Sequence, residues 1–318
     1  IVSDVGGTQI RVAAFDVSTL AMVAQKKILT QGQGLHPTER LVNVIMNVGK
    51  KFEIKAIAIA VPGFLDPENG MIIEAPNIPE WINLPLRDII KDYFNVPVFI
   101  GNDANLAALG EWKFGAGIGH KNILYLTIST GIGSGVIIDN HLLQGERGLA
   151  AEFGHVTILP DGPMCGCGKP GHIEALSSGT AIGNFVRDQI ALGRNSSLKD
   201  FPNPSGADIY TAAINGDALA IESFSRAGKY LGIALANFLH MLNPSIVIFG
   251  GGVSQAGELL FKPMRDSLED AIISKEYLKN LIITTAKLGD DVGLKGALAL
   301  LLSKYQSPEI FAQQNLFK

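Results

Sequence analysis

The sequence predicts an α/β protein built as two domains, and three observations carry that prediction. Strand-like and helix-like stretches alternate along the chain, the order that builds mixed sheets flanked by helices. A length of 318 residues exceeds what one core usually organises, and 47% hydrophobic residues supply ample interior. One short pattern also occurs twice. IVSDVGGTQIRVAAFD and LYLTISTGIGSGVIID each run from a β-rich stretch through a Gly-rich turn to a second β-rich stretch, closing on Asp16 and Asp139. These read as the same hairpin, used once near the start of each half.

Short β-rich runs place strands at Ile1–Ser3, Ile10–Phe15, Ala56–Ala60, Val96–Ile100, Ile123–Ile128, Gly135–Ile138, Ser245–Phe249 and Leu281–Thr285. Longer stretches with helical patterning fall at Thr38–Lys51, Leu86–Phe94, Ala104–Phe114, Ser178–Leu192, Ala218–Leu242, Glu258–Ile273 and Leu294–Tyr305. Asn195–Pro204 is the most loop-like segment, and the tail Ser307–Lys318 reads as either an ordered flap or a frayed end.

Charge and composition exclude several classes of function. A net charge of −4 leaves no basic footprint for nucleic acid. The longest apolar runs, such as Ala56–Val61 and Ala297–Leu302, are too short to span a membrane. The chain opens directly on Ile1-Val2-Ser3-Asp4, without a secretory pattern. That opening lacks methionine and sits inside an apolar run, so a few leading residues are expected before it. Two cysteines make a poor disulfide framework and point to a reducing, cytoplasmic setting.

Gly6-Gly7-Thr8 and Thr130-Gly131-Ile132-Gly133 can each present backbone N–H groups to phosphate, because no Cβ blocks the approach. An ordinary hairpin turn explains either loop alone. A dinucleotide fingerprint needs a helix after its glycines, and here strands follow; the Gly-Lys-Ser/Thr of a P-loop is absent. The remaining nucleotide reading is a pair of facing hairpins clamping phosphates from two domains, with Asp4 holding Mg²⁺ through water. A third cluster, Gly250-Gly251-Gly252, follows a strand on the way to a helix, where bare backbone can lie against a flat adenine ring. A tight strand-to-helix turn is the plain alternative.

Asn102 and Asp103 sit at a strand-to-helix junction in VPVFIGNDANLAALGEW. Asp103 fits two roles there, a helix cap or a general base that takes the proton of a sugar hydroxyl during phosphoryl transfer.

Both cysteines lie in one loop, in the pattern His155-x9-Cys165-x-Cys167-x4-His172. Thiols one residue apart rarely meet the geometry of a disulfide. Two thiols and two imidazoles are instead a tetrahedral Zn²⁺ set, closed and structural. Glu152 lies three residues before His155, and Glu174 two after His172. A metal-braced knot would hold both carboxylates toward a ligand rich in hydroxyls, and the second nitrogen of His155 could donate to it.

Taken together, DVGGT, GNDAN, STGIGSGVI, ERGLAAEFGH and CGCGKPGHIEALSSGTAI resemble, in this order and spacing, the ROK family of sugar kinases, and more narrowly its ATP-dependent glucokinases. The resemblance covers nearly the whole chain. It implies an actin/hexokinase-like (ribonuclease H-like) pair of domains with an interdomain cleft. The first domain would span 1–113 plus 293–318, and the second, carrying the zinc loop, 114–292. By carry-over, Asn102, Asp103, Glu152, His155 and Glu174 hold sugar hydroxyls, with Gly63 and Asn77 lining the same pocket. The implied reaction moves the γ-phosphoryl group of ATP to the 6-hydroxyl of glucose, with Asp103 as base and with Mg²⁺ and structural Zn²⁺. A homodimer or homotetramer is implied as well. Two positions depart from the family pattern. His172 stands where the family usually has a third cysteine, and Ala151 where it commonly has glycine.

The nearest alternative is a kinase for N-acetylmannosamine, N-acetylglucosamine, mannose or fructose. A sugar-responsive ROK regulator would carry a helix-turn-helix ahead of the first glycine loop. An actin- or Hsp70-like ATPase would leave the Cys/His loop and the Asn-Asp pair without a role.

Overall fold

The computed structural model describes residues 1–32 and 34–305; the tail Ser307–Lys318 lies outside the described residues. In chain order the elements are β1 (Val2–Val5), β2 (Gln9–Phe15), β3 (Met22–Leu29), α1 (Pro37–Gly49), β4 (Ile57–Val61), β5 (Phe64–Asp66), β6 (Met71–Glu74), β7 (Ile82–Leu84), α2 (Leu86–Phe94), β8 (Val98–Asn102) and α3 (Asp103–Phe114). There follow β9 (Ile123–Ile128), β10 (Ile132–Ile138), β11 (His141–Leu142), α4 (Ile173–Ser177), α5 (Gly179–Ala191), α6 (Gly206–Ile214), α7 (Ala218–Leu242), β12 (Ile246–Gly250), α8 (Glu258–Ala271), β13 (Ile282–Thr285) and α9 (Val292–Lys304).

The chain divides into two compact units. The first comprises Ile1–His120, Gly135–Ala151 and the described part of Ala286–Lys318; the second comprises Lys121–Ser134 and Glu152–Thr285. The first unit therefore takes in residues 135–151, which the expected boundaries gave to the other half. The reason is packing. A Cβ on Gly135 would lie 2.6 Å from that of Ala108 on α3, and one on Gly148 would lie 2.7 Å from the Pro67 ring. Glycines at both points let this segment close onto the first unit.

The first unit is built on a sheet of order β3-β2-β1-β4-β8. β1 and β2 pair antiparallel with Asp4 opposite Arg11, while β4 lies parallel to β1 and to β8. Leu41 and Ile45 of α1 pack with Ile57, Ile59 and Val61 of β4 in a fully buried core. Trp81 is buried in it too, and its indole N–H reaches Thr38 Oγ1 at 3.0 Å. On the side of α3 the helices meet through glycine. A Cβ on Gly296 of α9 would come within 2.1 Å of the Leu106 carbonyl, so only glycine permits this approach. That contact fixes the helix whose first residue is Asp103.

In the second unit β12 lies between β9 and β13, parallel to both. The long helix α7 starts on an Asp217 cap and ends on Asn243 in the left-handed region. It crosses α8 at Gly228 and Gly232, where any Cβ would strike the α8 backbone at 2.4 Å or less.

Candidate functional site

In the first unit the turn between β1 and β2 is held from below. Gly6 N donates to Gln9 O at 2.8 Å, and buried Thr30 grips the turn twice: its N–H donates to Thr8 O at 2.9 Å and its hydroxyl to Gly6 O at 2.6 Å. Gly7 packs directly on Asn77, whose Cβ and carbonyl would lie 2.7 and 2.8 Å from any side chain there. Gly63 adopts a φ of +87°, and a Cβ on it would strike the Glu74 carbonyl at 2.2 Å. Its own carbonyl accepts from Asn102 Nδ2 at 3.2 Å. The structure thus links Gly7 to Asn77 and Gly63 to Asn102, four positions far apart in sequence.

The junction before α3 resolves the ambiguity between its two residues. Asn102 is the N-cap, its Oδ1 accepting from Asn105 N at 3.1 Å. Asp103 is the first helical residue, and its Oδ1 accepts from Ala104 N at 2.8 Å. The cap reading of Asp103 is therefore corrected in favour of Asn102. A carboxylate at the first turn also sits where the helix dipole favours negative charge. Two positions on, Asn105 Oδ1 is buried with no hydrogen-bond partner among the described residues, and Asn105 lines a cavity with room for about one water.

Asp4 lies across the strand pair from Arg11, whose Nη1 is 3.9 Å from Asp4 Oδ2. Beneath the carboxylate is Gly293, in the first turn of α9, where a Cβ would fall 2.4 Å from Asp4 Cγ. Burial pushes the Asp4 pKa up and Arg11 draws it partly back. A carboxylate so desolvated favours a cation beside it. Arg11 also pairs with Asp291 at 2.8 Å.

In the second unit the glycine loop after β9 is laced to the segment that starts α5. Ser129 O accepts from Gly179 N at 2.7 Å, and Thr130 O from Thr180 N at 3.4 Å. Ile132 N donates to Glu174 Oε2 at 2.9 Å, so this N–H is committed to the protein. Gly131 lies against the same oxygen, and Gly133 belongs to β10. Ser129 and Thr130 line a cavity of about 660 Å³ with Thr180, Tyr210, Gly252 and Val253. That volume and its largely apolar wall suit a nucleoside. Of the third glycine cluster, Gly252 lines this cavity. Gly250 and Gly251 are close-packed: a Cβ on Gly250 would lie 2.4 Å from the Tyr125 hydroxyl, and one on Gly251 2.3 Å from Ile128 O.

The Cys/His loop closes into a knot. Cys165 N donates to Lys169 O and Gly168 N to Cys165 O, both at 2.9 Å. Gly168 and Gly171 take positive φ, and Gly171 lies against the Leu159 carbonyl. One ligand atom from each of His155, Cys165, Cys167 and His172 falls within 4.8 Å of all the others. Cys165 Sγ is 3.8 Å from His155 Nδ1, and Cys167 Sγ is 3.2 Å from His172 Nδ1. Tetrahedral Zn²⁺ with its usual bond lengths needs edges of about 3.3–3.8 Å; the two distances given are close to that, and the 4.8 Å limit keeps the rest within about 1 Å of it. Burial pushes the Cys165 thiol up to about 12, so its ionisation calls for a cation among these donors. Burial also lowers the pKa of His172, with His155 adding to it, which favours the neutral imidazole that binds metal.

Glu152 stands just before the turn Phe153–His155, and its carbonyl accepts from His155 N at 3.1 Å. Its side chain reaches solvent, yet enough protein surrounds it that lost hydration pushes its pKa up; His155 opposes this and Glu174 adds to it. Ala151, immediately before, takes a φ of +69°, the left-handed conformation that glycine would adopt without strain.

With both glycine loops, the α3 junction and the Cys/His knot in place, comparison with known proteins gives a consistent result. The ROK family matches residues 1–304. The chain belongs to the ROK family. A glucokinase of Thermotoga maritima is 38% identical over 304 residues, covering 94% of this chain and 95% of its own. The crystal structure of a ROK family glucokinase from Streptomyces griseus, in complex with glucose and AMPPNP, superposes with a TM-score of 0.76 at 34% identity, covering 94% of this chain and 97% of that one. A ROK family transcriptional regulator, a homologue of the E. coli MLC protein, reaches a TM-score of 0.85 at 26% identity, covering 99% of this chain and 80% of that one. This ROK protein thus has the two-domain actin/hexokinase-like fold. No helix among its described residues is long and apolar enough to cross a membrane.

Sequence reasoning missed Thr30, Arg11 and the bond from Ile132 to Glu174. Arg11 was within reach of it, since a tight hairpin around Gly6-Gly7 puts residue 11 opposite residue 4. Thr30 and the Glu174 bond depend on strand packing that no local pattern reports.

Proposed function

We propose that the protein is an ATP-dependent hexose kinase that phosphorylates the 6-hydroxyl of glucose. The observation that carries this reading is the junction before α3, where Asn102 caps the helix and Asp103 opens its first turn, its Oδ1 accepting from Ala104 N at 2.8 Å. Asp103 takes the proton of the 6-hydroxyl as the new O–P bond forms and the bond to the leaving ADP breaks. Asn102 holds sugar hydroxyls beside it, with Gly63 and Asn77 shaping the pocket wall.

Glu152, His155 and Glu174 supply acceptors and a donor for sugar hydroxyls. Glu174 already has protein partners, so its contribution to sugar requires sharing or exchanging one. Gly6, Gly7, Thr8, Thr130, Gly131 and Gly133 form the loops for the phosphates of ATP, and Gly252 the wall for its base. Asp4 would hold Mg²⁺ through water. That ion would neutralise charge on the transferring phosphoryl group. His155, Cys165, Cys167 and His172 would hold Zn²⁺, which braces the loop and takes no part in the chemistry. The relatives support this reading: a glucokinase at 38% identity over nearly the full chain, and a 34% identical structure containing glucose with AMPPNP.

A coupled assay of ADP release, run across glucose, mannose, fructose, N-acetylglucosamine and N-acetylmannosamine, tests both reaction and sugar. Glucose should give the highest kcat/KM; another sugar in first place replaces glucose and keeps the kinase. Asp103→Asn should lose at least about a thousand-fold in kcat while sugar binding changes little. Turnover retained in that variant refutes the assignment of the base. Because the regulator shares the fold so closely, sugar binding without any ADP release would move the protein to that class.

A further inference from the structure

Glu174 is where the metal knot meets the second glycine loop. It lies in the first turn of α4, two residues after the ligand His172. That turn is pinned at both ends: Ile173 N donates to Val156 O and Ala175 N to His172 O, each at 3.0 Å. One carboxylate oxygen, Oε2, accepts from Ile132 N at 2.9 Å, and the other, Oε1, is 3.3 Å from Cys165 Sγ. A Cβ at Gly131 would fall 2.5 Å from Oε2, so glycine there leaves the carboxylate its place. The same stretch of chain holds the loop at two more points, through Gly179 N to Ser129 O and Thr180 N to Thr130 O.

We propose that Glu174 is a positioning residue that couples occupancy of the metal knot to the nucleotide affinity of the Ser129–Ile132 loop. The proposal rests on reading that loop as a phosphate loop. Coordination would fix Cys165 and His172, and with them the turn that aims Glu174. A fixed Glu174 holds Ile132 N and pre-shapes the loop, so less ordering remains to be done when nucleotide arrives. Without metal the loop is competent for a smaller fraction of the time, and apparent affinity falls by that fraction. Linkage makes the effect reciprocal: nucleotide must tighten metal binding by the same factor.

The test is calorimetric titration of Mg²⁺-AMPPNP into Zn²⁺-loaded and chelator-stripped protein, for the wild type, Glu174→Gln and Glu174→Ala. Leaving sugar out keeps any direct role of Glu174 in sugar binding from entering. Stripping should weaken wild-type affinity about ten-fold, the scale of one hydrogen bond to a charged acceptor. Glutamine keeps an acceptor for Ile132 N and should retain most of that factor. The alanine variant should bind weakly in both forms, with a ratio near one. Competition against a chromophoric chelator should show nucleotide raising the Zn²⁺ affinity of the wild type, and not of the alanine variant, by the same factor. Equal stripping factors in wild type and alanine variant overturn the coupling. If the alanine variant fails to fold, by circular dichroism and zinc content, wild-type reciprocity decides: Zn²⁺ affinity indifferent to nucleotide overturns the proposal. Loaded wild type that binds no nucleotide at all removes the kinase reading together with the coupling, a result distinct from either.

Discussion

Replacing Glu111 should loosen the segments that leave the first unit, by an amount that can be counted. Glu111 sits on α3, two turns after Asp103, and is fully buried. Among the described residues its carboxylate pairs with no cation; it is satisfied by backbone. Oε2 accepts from Ala116 N at 2.7 Å, and Oε1 from Lys287 N at 2.9 Å and Leu288 N at 2.8 Å. Gly115 makes room, since a Cβ there would lie 2.0 Å from Oε2. Alanine at 111 would leave three partly buried N–H groups without their acceptor. At about 1–3 kcal/mol each, less what water entering the vacated space recovers, the loss is about 3–5 kcal/mol.

Glutamine separates counting from size. Its one carbonyl can still take Lys287 N and Leu288 N, but its amide then faces Ala116 N–H, donor to donor, for a loss of about 1–3 kcal/mol. A chain of two units need not melt in one step, so local hydrogen exchange is the better readout. Amides at 115–117 and 286–289 should lose at least about a hundred-fold in protection in Glu111→Ala, and clearly less in Glu111→Gln. Exchange unchanged in alanine, or glutamine as damaging as alanine, refutes the reasoning from unsatisfied donors.

Three smaller predictions follow. Ala151→Gly should raise the melting temperature by about 1–3 °C, because a φ of +69° costs alanine about 1 kcal/mol that glycine escapes; an unchanged or lower value argues against strain there. Asp217 caps α7 and accepts from Ala220 N, Ser197 and Ser196; burial alone would raise its pKa, but these bonds outweigh it and hold the carboxyl at about 2. That depressed pKa contributes stability above pH about 4 that fades as pH falls toward 2, so Asp217→Ala should cost about 2 kcal/mol at neutral pH in a melt and almost nothing at pH 2. A high-resolution crystal structure should show an ordered water within hydrogen-bond reach of Asn105 Oδ1, and a dry cavity there would contradict the accounting of buried polar groups.

What could be read from sequence was the material that repeats locally. α2 and α7 have the expected bounds, and the strands of both hairpins lie within a few residues of theirs, because apolar spacing and cap residues mark them. β3 escaped notice since most of it is exposed, and Gln25-Lys26-Lys27 hide any alternation. The site was legible to the same depth. The Cys/His spacing pointed to four ligands that the fold does bring together. At the α3 junction, both Asn102 and Asp103 are residue types that cap helices, so local preference could not choose between them. A distant group did, for Asn102 Nδ2 reaches the Gly63 carbonyl and turns its Oδ1 toward Asn105 N. Glu111 within ALGEW carries no local sign of its burial, which comes with the return of the chain at Lys287 and Leu288. Glu174 shows the limit most sharply. Its place two residues after His172 suggested a carboxylate aimed at sugar, while its hold on Ile132, 42 residues earlier, depends on the hairpin turn between β9 and β10 lying against α4. Sequence spacing identifies which donors and acceptors are near one another along the chain; which of them are already satisfied is decided by the segments that return from far away.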